Sequence, residues 1–498
     1  MALPNANIQQ EITWTHPIGT RDGTLNTDSK MVNAYIEETE AGPVARKRAG
    51  TQYVTQTHNG TPQGQFLPVP SSATPAGFYI VNDVIYDYSG ITNVPLPSAS
   101  AAHLAYSIAP NVIVSGNPRP TGVFLQSSGI PIAGQQGNAY LYNTDTSAIT
   151  RVTDANYPTQ TVPGAAYLDN VMYVMDTGGV IHGSALNDVT TWPALDFVGC
   201  DPNLGVGIAL SRHLNYIVAF LSKGIQLYSD TNAAPNGSGV AITPVPNASW
   251  KTGCLCGFSV VEMSDTTFFL AQDETFGRTI QMISGLQMTR ISTTAIEKIL
   301  NRVPINASHV TVNTDIVYGW AFGCRYGGHQ HYVITFPDIQ TTLAYDVNSQ
   351  QWFQWSSVVA GVEQHFIGRF YLNDSFGDYL QDITTGYPML LSPNVYTDVT
   401  GPINVTLVTP EYDWGTLNWK RYGAMFQIAD TINTTVNVSF SDNDYQSFSI
   451  PRSVNMNTVR KMLRNCGSSR RRAWKLTHSD NTPLRLFSMK LEMTLLQR

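Results

Sequence analysis

Charge is the first thing this sequence is short of. Asp, Glu, Lys and Arg make up 13% of the 498 residues, about half the share of an ordinary globular chain. Its surface must therefore be covered mainly by Ser, Thr, Asn, Gln and Gly, a coat suited to β-rich proteins whose surfaces are committed to neighbours. The net charge of -7 speaks against a dedicated nucleic-acid binder, which would be basic as a whole. Cysteine is scarce as well. Five residues, Cys200, Cys254, Cys256, Cys324 and Cys466, are an odd number in a long chain, which argues against a disulfide framework. Long apolar runs are missing: none approaches the ~20 residues that a membrane helix needs, so no membrane-spanning segment is expected. The opening Met1-Ala2-Leu3-Pro4-Asn5 has neither the basic nor the apolar region of a signal peptide, and synthesis in the cytoplasm is expected. Helix signals are nearly absent too. The one candidate is Thr293–Leu300, read as a capping box with Thr294 at the N-cap and Glu297 three residues on.

What is present is strand. Short β-branched or alternating runs, such as Phe78–Val81, Val84–Tyr88, Val171–Met175, Tyr216–Phe220 and His331–Phe336, are bounded by Gly, Pro, Asn and Asp. Asn82-Asp83 and Asp169-Asn170 have the chemistry of two-residue hairpin turns, where both central residues take positive φ. A weak repeat of strand, turn and strand is visible at 77–90, 165–184, 213–229, 258–291 and 329–356. Such a unit cannot bury both faces alone, and stacking several in a ring solves that problem while leaving few free edges. The fold class expected is mainly β: a β-propeller over 55–402, with an additional C-terminal β-sandwich-like domain over 403–498. Residues 1–54 form a polar N-terminal segment with one strand-like piece at Val32–Ile36, expected to pack on the C-terminal domain or on a neighbour. In the C-terminal part, Val436–Phe440 and Gln446–Ile450 are read as a hairpin about a polar tip, and Leu484–Met493 as an alternating edge or sandwich strand.

Catalytic signatures are lacking. There is no Walker loop, HExxH, GxSxG or GxGxxG after a strand, and no enzyme activity or cofactor is expected. Cys254-Leu255-Cys256 lacks a second ligand pair at zinc spacing. His329-Gln330-His331 places two imidazoles on one strand face without an identifiable third ligand, so no metal is expected. Asp442 and Asp444 read as turn residues rather than the start of a calcium loop. Ser184–Trp192 resembles the Asp box of sialidase propellers only faintly. Trp352, Phe353 and Trp355, and likewise Trp414 and Trp419, could form a sugar-stacking platform, but are read as core.

The informative charge is local. Arg460, Lys461, Arg464, Arg470, Arg471, Arg472 and Lys475 lie within sixteen positions with no anion among them. That density repels itself and calls for an anionic partner. These seven are the candidate interface or DNA-channel residues, with a subunit interface favoured over DNA phosphates.

Several segments, taken in order, resemble the tail hub or nozzle proteins of short-tailed bacteriophages, also called packaged-DNA stabilisation or tail accessory proteins. They are Met31–Glu37 followed by Arg48-Ala49-Gly50-Thr51, with Ala49 where that family usually has Pro; His182–Asp188 with Trp192 and Asp201-Pro202-Asn203; the helix region Ile291–Ile299; and Ser441–Phe448 with Cys466–Arg471. The resemblance implies a virion tail component made in the host cytoplasm. It would be a homo-oligomeric ring, a hexamer, below the portal and a head-tail adaptor. That ring would extend the channel through which double-stranded DNA passes, help retain packaged DNA, and dock tail fibres, spikes or a needle. The alternatives are a glycan-binding or glycan-degrading propeller and a receptor-binding tail fibre protein.

Overall fold

The computed structural model describes residues 7–67, 77–88, 93–97, 105–116, 119–127, 138–231, 241–273, 277–304, 319–374 and 376–496. The fold is mainly β, a propeller carrying additional sheets built from both ends of the chain.

Among the described residues, seven sheets succeed one another along the chain. Their innermost strands are Pro62–Phe66, Tyr106–Val112, Ala166–Leu168, Gly207–His213, Val261–Met263, Trp320–Tyr326 and Gly368–Asp374. Each packs beside the next, and the last packs against the first, so the ring closes. Alternation along the second strands explains why the sheets stack. In Val171–Met175, Met172 and Val174 face the core shared with the preceding blade, beside Phe124 and Leu141. Tyr173 and Met175 point the other way, into the core shared with Leu210, Ile217 and Ala219. In Thr266–Asp273, Phe269 and Ala271 pack back on Val218 and Phe220, whereas Phe268 and Leu270 pack forward on Tyr332 and Ile334. A strand apolar on both faces is stable only between two neighbours, so each blade requires the next.

The hairpin turns follow their residues. Asn82 and Asp83 have φ of 49° and 61°, and Asp169 and Asn170 have 48° and 66°, the conformation expected of those pairs. The helix is Thr294–Leu300, and its N-cap is Thr293, not Thr294. Thr293 has the extended backbone a cap needs, and its hydroxyl accepts from the Ile296 N–H. Glu297 instead accepts from the Ser292 hydroxyl at 2.9 Å. The repeat read from the sequence missed two blades, 106–151 and 368–392.

The last blade takes its outer strand from elsewhere. Gly50–Tyr53 pairs with Pro388–Ser392, Tyr53 opposite Met389 and Gly50 opposite Ser392. This strand lies on the N-terminal side of the expected boundary at 54, yet it belongs to the propeller sheet. A Cβ on Gly50 would sit 2.0 Å from the Thr397 carbonyl oxygen, so only glycine fits there.

The remaining strands form a two-layer sandwich. One layer runs Ala34–Thr39, Gly42–Lys47, Arg485–Leu495, Lys420–Ala429, Met462–Arg464, with Asn7–Thr13 also paired to Arg485–Leu495. The other is continuous with the sixth blade: its outer strand Gln351–Val359 pairs with Lys30–Val32, followed by Val405–Val408, Ala473–His478, Thr435–Ser441 and Arg452–Asn455. Between the layers Ile12, Trp14, Met31 and Ile36 pack against Leu407, Met425, Trp474 and Leu491. The tip at 441–445 is followed by Arg452–Asn455 as the return strand, with Val438 opposite Arg452. Gln446–Ile450 is not a strand: positive φ at Asp444 and Tyr445 breaks the regular ladder, although the Ser449 N–H still donates to the Phe440 carbonyl at 2.8 Å.

Propeller and sandwich meet at one guanidinium. Arg48 is 1% exposed, and all five of its N–H donors are used. Nε donates to Asn33 Oδ1 at 2.9 Å, Nη1 to the Ala49 carbonyl and Asp398 Oδ1, both at 2.9 Å, and Nη2 to the Ser356 carbonyl at 2.8 Å and Asp398 Oδ2 at 2.5 Å. Asn33, with φ of 56°, separates Lys30–Val32 from Ala34–Thr39, and its amide donates to Ser356 Oγ and the Asn404 carbonyl. Removing one partner of a buried, fully bonded ion pair leaves the other uncompensated. Asp398→Asn is expected to lower unfolding free energy by about 3–5 kcal/mol, read by chemical denaturation, with the junction opening before the blades.

Candidate functional site

The seven basic residues divide by burial. Arg472 lies inside the sandwich at 1% exposure. Its Nε and Nη2 donate to Asp442 at 2.6 and 2.7 Å, Nη1 donates to the Cys466 carbonyl, and the guanidinium lies 3.7 Å from the Phe440 ring centroid. It is a core residue with its counter-ion inside this chain. Lys461 is buried too and donates to Thr431 Oγ1 at 3.0 Å. Arg471 is exposed and pairs with Glu411 at 3.1 Å. Lys475 is half-buried beside the Phe448 ring. Arg460, Arg464 and Arg470 are exposed. None of these three makes an ion pair among the described residues. Arg470 lies over the Trp419 ring at 5.8 Å.

Those three lie along one sheet edge. Met462–Arg464 and Ser468–Ser469 both pair with Lys420–Ala429 and have no further neighbour in that layer. Arg460 precedes the first of these short strands, Arg464 ends it, and Arg470 follows the second. The sequence cluster thus becomes a basic edge of three guanidiniums, with the other four cations spent on structure.

A second feature had no sequence signal. On the propeller axis lies a cavity of about 320 Å³, lined by Gln65, Tyr106, Glu262, Phe322, Phe370 and Tyr371 among others. These side chains come from the innermost strands of several blades, a grouping that exists only once the ring closes. Desolvation raises the pKa of the Glu262 carboxyl, while Arg212 pulls the other way, and the side chain remains exposed.

The remaining candidates are structural. His329 bonds Asp346 at 2.9 Å and stacks on His331, with ring centroids 5.9 Å apart. His331 is boxed in by Tyr35, Tyr326 and Trp355. Among the described residues no group of three His, Cys, Asp or Glu could hold a metal. Cys254 and Cys256 are buried free thiols. Asp188 holds a turn by accepting from Thr190 and Thr191. Trp352, Phe353 and Trp355 are buried core residues. Trp414 is half-buried, and only Trp419 is exposed.

The chain matches the family model described as Bacteriophage P22 Gp10, beta-propeller (Phage_stabilise), over residues 118–380, more than half its length. No curated protein matches it at a significant level. Among solved structures, the crystal structure of BamB from Moraxella catarrhalis aligns with 77% of this chain and 97% of that one, at 12% identity and a TM-score of 0.36. That likeness is too loose to carry an argument.

Burial holds His331 at a pKa of about 4, against 6.5 when unfolded. The folded state stays neutral there while the unfolded state takes up a proton below 6.5. Stability is therefore fully present above 6.5 and drains away as pH falls toward 4. His331→Phe is expected to flatten the melting temperature against pH between 6.5 and 4, as measured by thermal denaturation.

Proposed function

This chain belongs to the family of the bacteriophage P22 Gp10 β-propeller, and on that premise we propose that it is a subunit of the hub or nozzle of a short phage tail. The observation that carries the reading is the family match, which covers five of the seven blades in whole or large part. In the proposed role, identical chains close into a ring, a hexamer, below the portal and head-tail adaptor. The ring extends the DNA channel, helps retain packaged DNA, and carries fibres, spikes or a needle. The propeller's inner strands pack beside one another around a small cavity of about 320 Å³, which supports placing the channel between subunits. The scant charge of the sequence fits a surface shared with neighbours, and the exposed Arg460, Arg464 and Arg470 fit a contact made in the assembled tail.

The role is non-catalytic. Purified protein is expected to release no reducing sugar from host polysaccharide. Electron microscopy of the isolated protein, or of the virion, is expected to show a closed ring whose lumen lies between subunits. A monomer that cleaves glycan, with activity lost on mutating a carboxylate of the axial cavity such as Glu262, would refute the assignment.

A further inference from the structure

The sandwich layer that carries the basic edge has a second edge, and its charge is opposite. Ala34–Thr39 lies at one end of the strand order and Met462–Arg464 at the other. The first half of Ala34–Thr39 is buried, with Tyr35 against Tyr326 and His329. The second half and its turn stand clear. Glu38, Glu40 and Ala41 are exposed, and neither Glu38 nor Glu40 makes an ion pair among the described residues. Glu37 is already committed to Arg46 at 2.9 Å and Arg485 at 3.5 Å. The opposite edge offers Arg460, Arg464 and Arg470. Beside them stand Val459, 98% exposed, and Trp419, 42% exposed.

Resting on the ring assembly proposed above, we infer that the basic edge of one subunit docks on the acidic hairpin, Glu37–Gly42, of a second copy. Charge at an open sheet edge commonly serves only to prevent pairing. One sign at both edges would serve that purpose best. Opposite signs at opposite edges act differently. Basic meeting basic and acidic meeting acidic repel, which disfavours a two-fold dimer through either edge. Basic meeting acidic attracts, and because the two patches are different surfaces the contact is head-to-tail. Repeated with a fixed rotation, it closes a ring. Val459 and Trp419 supply what charge alone does not. An arginine stacked on tryptophan is the composition of an interface hot spot, whereas a solvated edge has no use for a fully exposed valine. The ion pairs sit at an accessible rim, so they are screened by salt and direct partner choice more than they add affinity.

The test uses three full-length variants. One carries Arg460→Glu, Arg464→Glu and Arg470→Glu, the second carries Glu38→Lys and Glu40→Lys, and the third carries all five. Oligomer mass is followed by sedimentation at low and moderate salt, with thermal melts confirming that each variant folds. Either single-edge variant is expected to associate at least tenfold more weakly than the parent. The two mixed in equal amounts, and the five-fold variant alone, are expected to recover assembly, because each junction again joins opposite charges. A milder set, Arg460→Gln with Arg464→Gln and Arg470→Gln, should give an intermediate loss. Single-edge variants that assemble like the parent would overturn the inference and leave the ring reading standing. So would loss without recovery on mixing, or loss of binding to duplex DNA with ring formation unchanged. A parent chain that remains monomeric at every concentration would overturn the ring reading itself.

Discussion

The architecture turns on where one guanidinium goes. Arg48 is drawn out of water, a costly move for any ion, and the cost is offset only because Asp398, the Ser356 and Ala49 carbonyls and the Asn33 amide oxygen together meet every donor. Those acceptors come from three separate stretches: the end of the N-terminal strands, the outer strand of the sixth blade, and the segment leaving the seventh. No two of them can satisfy the arginine without the third. The site therefore acts less as a source of net stability than as a condition. The propeller and the sandwich can coexist in one relative placement, the one in which this residue is fully bonded.

Around that point the geometry is reinforced by continuity. The sandwich shares a sheet with the sixth blade through Lys30–Val32, and the same N-terminal stretch supplies the closing strand of the seventh. Tyr326 links the two further, since its hydroxyl accepts from the Ala49 N–H at 2.7 Å. A tether through a flexible linker would let the two units swing. A shared sheet, a shared strand donor and a buried ion pair hold them as one body.

Much of this was legible in the sequence, and the reasons differ by level. The β class followed from alternating apolar runs and from Asn-Asp and Asp-Asn turns, because backbone sterics act locally. The propeller followed from repetition. The segments Met31–Glu37 and Arg48–Thr51 stood out as a resemblance, and the structure gives them a physical cause: Asn33 and Arg48 hold the junction, and Gly50 has room for no side chain. The basic cluster was visible, but its division was not. Arg472 and Lys461 are buried while Arg460 and Arg464 are exposed, and that split depends on Asp442, Thr431 and Phe440, which the chain brings in from well outside the cluster. The axial cavity around Glu262 had no local mark at all. The absent strand at Gln446–Ile450 has a local cause: positive φ at Asp444 and Tyr445 disturbs the periodicity on which a linear reading depends.

The closing strand Gly50–Tyr53 also carries a consequence in time. Chains emerge from the ribosome N-terminus first, at roughly 5–20 residues per second. Residues 7–53 are thus made well before their partners Pro388–Ser392, Val405–Val408 and Arg485–Leu495. For most of synthesis only Ala34–Thr39 and Gly42–Lys47 can pair, with each other, while Asn7–Thr13, Lys30–Val32 and Gly50–Tyr53 wait for partners made later. A chain cut off before residue 485 would lack Arg485–Leu495 and could not complete the sandwich. Only chains translated through Leu495 present the complete sandwich layer, so the order of translation itself distinguishes them from shorter fragments.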